Sequence, residues 1–162
     1  MAEGGWLSEA GPYTLPPLRL YREGVRVHLT PYRVHPDLAP FKTGNYLPYR
    51  LARKEAEARG AFEGLLLDAL GHVVDGSRTS PLLYREGRLF VLLGGLEGIT
   101  REKVAEEARR LGLKVEWVYL PPEGLKGVLL LAGSGVGLLP VGPPPPELLP
   151  LLERFLPACY TE

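Results

Sequence analysis

The chain is poor in sulfur and in histidine. One cysteine, Cys159, and one methionine occur in 162 residues. A lone cysteine excludes a disulfide framework within the chain and any multi-cysteine zinc site, and it fits a reducing compartment. The three histidines, His28, His35 and His72, have no metal-ligand spacing. Neither sign of charge is in excess: 19 basic residues face 19 acidic ones. That balance leaves no electrostatic footprint for nucleic acid or an anionic membrane. There is no basic-then-apolar signal stretch at the start and no apolar run long enough to span a bilayer, so the expected place is the cytoplasm. What is abundant is proline, arginine, glutamate and leucine, a composition that points towards a thermophilic source.

The length suits one domain, or one domain and a small appendage, with a sizeable core. Residues 1–20 are rich in Gly and Pro without a period and read as an irregular lead-in. Val25 to Leu29 alternates as a half-buried strand that Thr30-Pro31 ends. Residues 31–41, with three prolines, read as an extended loop. A helix is expected from Tyr46 to Arg59, capped by Asn45, with Leu47, Leu51 and Ala58 on its inner face and Gly60 as its stop. Gly64 to Asp68 reads as a buried strand, His72 to Val74 as its antiparallel return, and Leu82 to Leu92 as a hairpin around Glu86-Gly87. A helix from about Arg101 to Leu111 turns Val104, Ala108 and Leu111 inward. Strands at 114–119, 128–131 and 138–141 follow. After the stiff run Pro143 to Pro146 comes a last helix, Glu147 to Phe155, kinked or delayed by Pro150. Seven or eight mostly meandering strands and three helices make an α+β protein rather than a regular βαβ alternation.

Four stretches could carry chemistry. Lys42 sits in a short Gly-containing loop just ahead of a helix. It is either a solvated surface charge or a buried amine with a lowered pKa, able to form a Schiff base. Asp75, in Asp75-Gly76-Ser77-Arg78-Thr79-Ser80, is either a turn residue or a buried carboxylate of the kind that keeps a pyridoxal ring nitrogen protonated. Gly98-Ile99-Thr100 at a helix start is either a plain cap or a phosphate cradle made of N–H groups and a hydroxyl. Gly133-Ser134-Gly135 is a strand-end bulge or a further donor set. Its Gly-x-Gly-x-Gly spacing, followed by Pro140 instead of a helix, speaks against a dinucleotide fold and leaves a nucleotide-binding module a weak alternative.

Amine, carboxylate and phosphate cradle are what pyridoxal phosphate asks for, and their order matches a family. Lys-Thr-Gly-Asn-Tyr, then Leu-Leu-Leu-Asp-Ala-Leu-Gly-His-Val-Val-Asp-Gly-Ser-Arg-Thr-Ser, then Leu-Glu-Gly-Ile-Thr-Arg resemble the class IV (fold-type IV) pyridoxal-phosphate enzymes over roughly residues 24–142. These are the branched-chain and D-amino-acid aminotransferases and the 4-amino-4-deoxychorismate lyases. The resemblance implies the large C-terminal domain of the D-amino-acid-aminotransferase-like fold over residues 21–162, a meandering, barrel-like sheet with flanking helices. It implies that the family's smaller N-terminal domain is absent from this chain. It implies Lys42 as the Schiff-base lysine and general acid/base, and Asp75 as the ring-nitrogen partner. Ile99, Thr100 and Ser134 become phosphate binders, and Tyr46 falls beside the cofactor's phenolic oxygen. Asp75 stands where the family usually has glutamate, and Ser80 where asparagine is common. Lys-x-x-Asn and Arg78 are similar to the lyase branch. The expected reaction is therefore conversion of 4-amino-4-deoxychorismate to 4-aminobenzoate and pyruvate in folate biosynthesis, by a cytoplasmic homodimer. A class IV aminotransferase and a non-catalytic or truncated class IV-like domain are the alternatives.

Overall fold

The computed structural model describes residues 4–41 and 46–161. Two sheets and their helices form four layers. The chain enters through a short helix, α1 (Leu18–Glu23), which begins inside the last residues of the stretch 1–20 expected to be irregular. Strand β1 (Val27–Arg33) follows, then α2 (Leu47–Ala58) and β2 (Glu63–Leu67), which lies parallel to β1. An antiparallel return, β3 (Val73–Gly76), completes a three-stranded sheet in the order β1-β2-β3. Next come β4 (Ser80–Arg85) and β5 (Arg88–Leu92), then α3 (Ile99–Arg110) and β6 (Lys114–Val118). β7 (Val128–Gly133), β8 (Gly137–Pro140) and α4 (Leu149–Arg154) end the fold. The second sheet has five strands in the order β6-β5-β4-β7-β8.

The α+β class is as expected, but the sheet is not the barrel-like meander expected from the sequence. It is two separate sheets, and each holds one parallel pair joined by a helix, β1-α2-β2 and β5-α3-β6. β4 to β5 is a two-residue hairpin. Glu86 and Gly87 both take positive φ, 48° and 78°, the geometry that matches the twist of the flanking strands. β1 runs on through Pro31 instead of stopping there, because it is an edge strand where a missing N–H is tolerated. Pro150 delays the last helix: residues Pro146–Leu148 form a 3-10 turn and α4 begins at Leu149.

The five-stranded sheet is buried on both faces. Leu82, Val91, Leu130 and Leu138 meet α3 through Val104 and Ala108, and α4 with the turn before it through Leu151 and Leu148. The opposite set, Leu83, Phe90, Leu131 and Leu139, meets Leu65 and Val73 of the first sheet. On the far side of the first sheet α2 packs Ala52 against Leu66 and Val74, and Ala56 is buried on the same helix.

The α2 face differs from the sequence expectation. Leu47 and Leu51 are exposed, and the two alanines are the inner residues. The cause is a close approach: a Cβ placed on Gly64 would lie 2.4 Å from the carbonyl oxygen of Ala52. Only small residues fit between helix and strand at that spacing. Leu111, expected inward on α3, lies just past the helix and is exposed, while Arg101 is drawn in.

Candidate active site

The two sheets meet along a seam, and the seam opens into a cavity of about 630 Å3. Four chain segments end there: β3 at Asp75-Gly76, β4 at Ser80, β7 at Gly133-Ser134, and the start of α3 at Gly98-Ile99-Thr100. Val34 to Phe41 and the first residues of α2 form another wall. Of the six residues singled out in the sequence, the structure brings five to this one cavity: Tyr46, Asp75, Ile99, Thr100 and Ser134. The sixth, Lys42, lies outside the described residues, as does Asn45, the expected helix cap. Phe41 and Tyr46, the described residues on either side of that stretch, both line the cavity.

Asp75 is the acidic centre of the site and is 4% exposed. The Gly76 N–H donates to its Oδ1 at 3.1 Å, the Leu96 N–H to its Oδ2 at 3.0 Å, and the Tyr49 hydroxyl approaches Oδ2 at 3.5 Å. Burial pushes its carboxyl up to about 7; the Leu96 and Gly76 N–H groups and the Arg101 charge pull the other way, and the Glu63 charge adds to the rise. Close packing fixes it. A Cβ on Gly95 would fall 2.1 Å from the Val74 carbonyl oxygen and 3.0 Å from the Asp75 carboxyl carbon, so the 94–96 loop reaches Asp75 only because residue 95 has no side chain.

The start of α3 is the electropositive part. No side chain caps the helix at Gly98, so the first N–H groups of this 12-residue helix have no capping acceptor. Arg101, one turn in, is 4% exposed. Its guanidinium donates to the Leu92 carbonyl at 3.3 Å and to Glu102 at 3.4 Å, and lies over the Trp117 ring at 5.4 Å. Its Nε is the one buried side-chain polar atom among the described residues that has no hydrogen-bond partner. An uncapped helix start beside a buried, under-satisfied cation is a place for an anion.

Sequence reasoning missed three residues here. Arg101 stood in the sequence only as the approximate start of a helix, and Tyr49 only as a position within the expected helix from Tyr46 to Arg59. Glu63, the first residue of β2, is fully buried and collects the donors of the Ser77–Thr79 loop. Ser77 N–H donates at 2.9 Å, Arg78 N–H at 3.2 Å and the Thr79 hydroxyl at 2.7 Å; the Gly64 N–H adds 2.9 Å, and the Ser77 hydroxyl also donates. The available signal was a glutamate heading an apolar strand, with hydroxyl residues two apart just beyond the next strand. Arg78, expected to mark the reaction branch, stacks over Phe62 at 4.0 Å and donates to its carbonyl at 3.0 Å.

A family model described as amino-transferase class IV matches residues 7–142. The chain belongs to that family. Among solved structures it is similar to a protein proposed to be a 4-amino-4-deoxychorismate lyase, with 79% identity and a TM-score of 0.91. That match covers 95% of this chain and 63% of the other. The T.th. branched-chain amino acid aminotransferase complexed with N-(5'-phosphopyridoxyl)-L-glutamate is 31% identical, with a TM-score of 0.76 over 83% of this chain and 51% of that one. The branched-chain-amino-acid aminotransferase of Escherichia coli (strain K12) is 31% identical over 103 residues, 60% of this chain and 33% of its own length. The chain thus spans about a third of the curated relatives it matches. Among the described residues no helix is long and apolar enough to cross a membrane.

The donor set of the cavity fits the family's cofactor, pyridoxal phosphate. A buried carboxylate suits a protonated ring nitrogen, and the uncapped start of α3 with the orphaned Arg101 Nε suits a phosphate.

Proposed function

We propose that this class IV chain serves a pyridoxal-phosphate-dependent lyase reaction, in which 4-amino-4-deoxychorismate becomes 4-aminobenzoate and pyruvate. The observation that carries the cofactor assignment is the one cavity holding both a buried carboxylate, Asp75, and an uncapped helix start backed by a guanidinium whose Nε has no partner. The 79% identity to the proposed lyase supports the reaction branch. When bound, pyridoxal phosphate supplies an electron sink that acidifies the substrate's α-carbon. In this reading Lys42 is the amine that anchors the cofactor and moves the α-proton. Asp75 holds the proton on the ring nitrogen. The N–H groups of Ile99 and Thr100, the Thr100 hydroxyl and Ser134 bind the phosphate, and Tyr46 stands beside the phenolic oxygen. A homodimer, a cytoplasmic location, a thermophilic source and a place in folate biosynthesis belong to the same reading, supported by family membership and composition.

The lyase reaction divides one molecule into two without water, oxidant or a second substrate. The chain, supplied with pyridoxal phosphate and 4-amino-4-deoxychorismate alone, is therefore expected to release 4-aminobenzoate and pyruvate in equal amounts, read by chromatography. The second reading, an aminotransferase for branched-chain or D-amino acids, is favoured by the 31% identity to the T.th. enzyme. Turnover that requires a 2-oxo acid and yields no 4-aminobenzoate would select it.

A further inference from the structure

Tyr49 has a feature that packing does not explain. Its ring sits half-buried against the cluster of Val34, Ala39, Ala52, Leu66 and Val74, and it tilts onto the Tyr46 ring with centroids 5.8 Å apart. A phenylalanine would fill the same space. The hydroxyl, however, is directed at Asp75 Oδ2, 3.5 Å away, at the long edge of a hydrogen bond. Burial and the Asp75 charge both raise the pKa of the phenol, so it is held as a neutral donor.

The Asp75 contacts come from three different elements. Gly76 is its own neighbour on β3, Leu96 lies on the loop after β5, and Tyr49 is on α2. The two backbone donors, one on β3 and one on the loop after β5, fasten one edge of each oxygen. A carboxylate has about four acceptor positions, so after these three contacts one remains for a ligand. Among the described residues Tyr49 is the side chain that donates to Asp75, and it links Asp75 to the helix that directly follows the Lys42 segment. Polar contacts of this kind are often long without ligand and shorten when the site fills.

We propose that Tyr49 is a positioning residue for Asp75: its hydroxyl donates to Oδ2 and holds the carboxylate so that its remaining acceptor position receives the ring N–H of the cofactor. The inference rests on the reading of Asp75 as the ring-nitrogen partner. Tyr49 does not touch the reacting atoms; it acts through Asp75.

The test uses the 162-residue chain as wild type, Tyr49→Phe, Asp75→Asn and the double variant. Each is titrated by equilibrium dialysis with pyridoxal phosphate and with its carbocyclic analogue, in which ring N is replaced by CH. Tyr49→Phe is expected to raise the Kd of pyridoxal phosphate by about five- to tenfold, the scale of one ordinary hydrogen bond, and to leave the analogue within about twofold. It should add nothing on the Asp75→Asn background. Equal weakening of both ligands would reduce Tyr49 to a packing residue and overturn the proposal, as would no weakening of either. Asp75→Asn separates the two layers. If it weakens pyridoxal phosphate alone while Tyr49→Phe does not, only the Tyr49 inference falls. If Asp75→Asn spares both ligands, the Asp75 assignment falls, and Tyr49 with it.

Discussion

Asp75→Asn is expected to flatten the pH dependence of stability of the ligand-free chain and, in the same protein, to weaken pyridoxal phosphate binding. Both effects follow from one buried carboxyl. Its folded pKa of about 7 lies above the ordinary 3.8, so the fold prefers the protonated form. That contribution is fully present below the unfolded value and is lost as pH rises through about 7. Integrated over the two titrations, wild type is expected to lose about 2–3 kcal/mol between pH 5 and pH 8 from this group alone. Asparagine cannot ionise and does not lose it. At this chain length the difference between the two melting curves should therefore widen by about 5–10 °C between those pH values. Curves that stay parallel would contradict the burial argument. Under the proposed function, a protonated ring nitrogen would supply the cation that the ionised carboxylate lacks. Loss of that charge-assisted bond should weaken cofactor binding by about ten- to a hundredfold at pH 8.

Glu63→Ala is expected to be strongly destabilising, on the scale of emptying a core position. The carboxylate is fully buried and accepts from four partners besides the short contact to the Ser77 hydroxyl. Truncation leaves the Arg78 N–H group and the Ser77 and Thr79 hydroxyls without their acceptor in a loop packed between two sheets, while the Ser77 N–H keeps the Gly64 carbonyl. Each buried donor left open costs about 1–3 kcal/mol, and water can reach part of the loop, so the expected loss is about 3–5 kcal/mol. Glu63→Gln keeps one acceptor oxygen and should lose about half of that. Urea unfolding measures both. A Glu63→Ala variant within about 1 kcal/mol of wild type would show that the loop holds itself. Because that loop links Asp75 to Ser80 along the cavity wall, a loosened loop should also reduce cofactor affinity.

How much of this was legible in the sequence depended on whether the cause was local. The Glu86-Gly87 hairpin was legible because two left-handed residues between alternating strands permit little else. That Asp75, Thr100 and Ser134 line one cavity was legible because they stand at chain ends, where strands stop and a helix starts. The inner face of α2 was not. Leu47 and Leu51 made the more apolar stripe, and only the close contact between Gly64 and Ala52 decided for the alanines. Glu63 was hidden for a similar reason. Its donors lie 14 to 16 residues away, across a strand and a turn that had to be folded before the carboxylate had partners. Pro31 read as a strand stop by its chemistry, and only its place on a sheet edge made it harmless. Tyr49 carried no local signal at all, since its role exists only opposite Asp75.

On the proposed function, Lys42 and this cavity together hold pyridoxal phosphate. The direct measurement is to incubate the chain with the cofactor, reduce with borohydride and map the labelled peptide. A phosphopyridoxyl group on Lys42, absent from Lys42→Ala, is the expected result. A label on another lysine, or no label, would contradict the assignment and leave the chain a class IV domain without the family's chemistry.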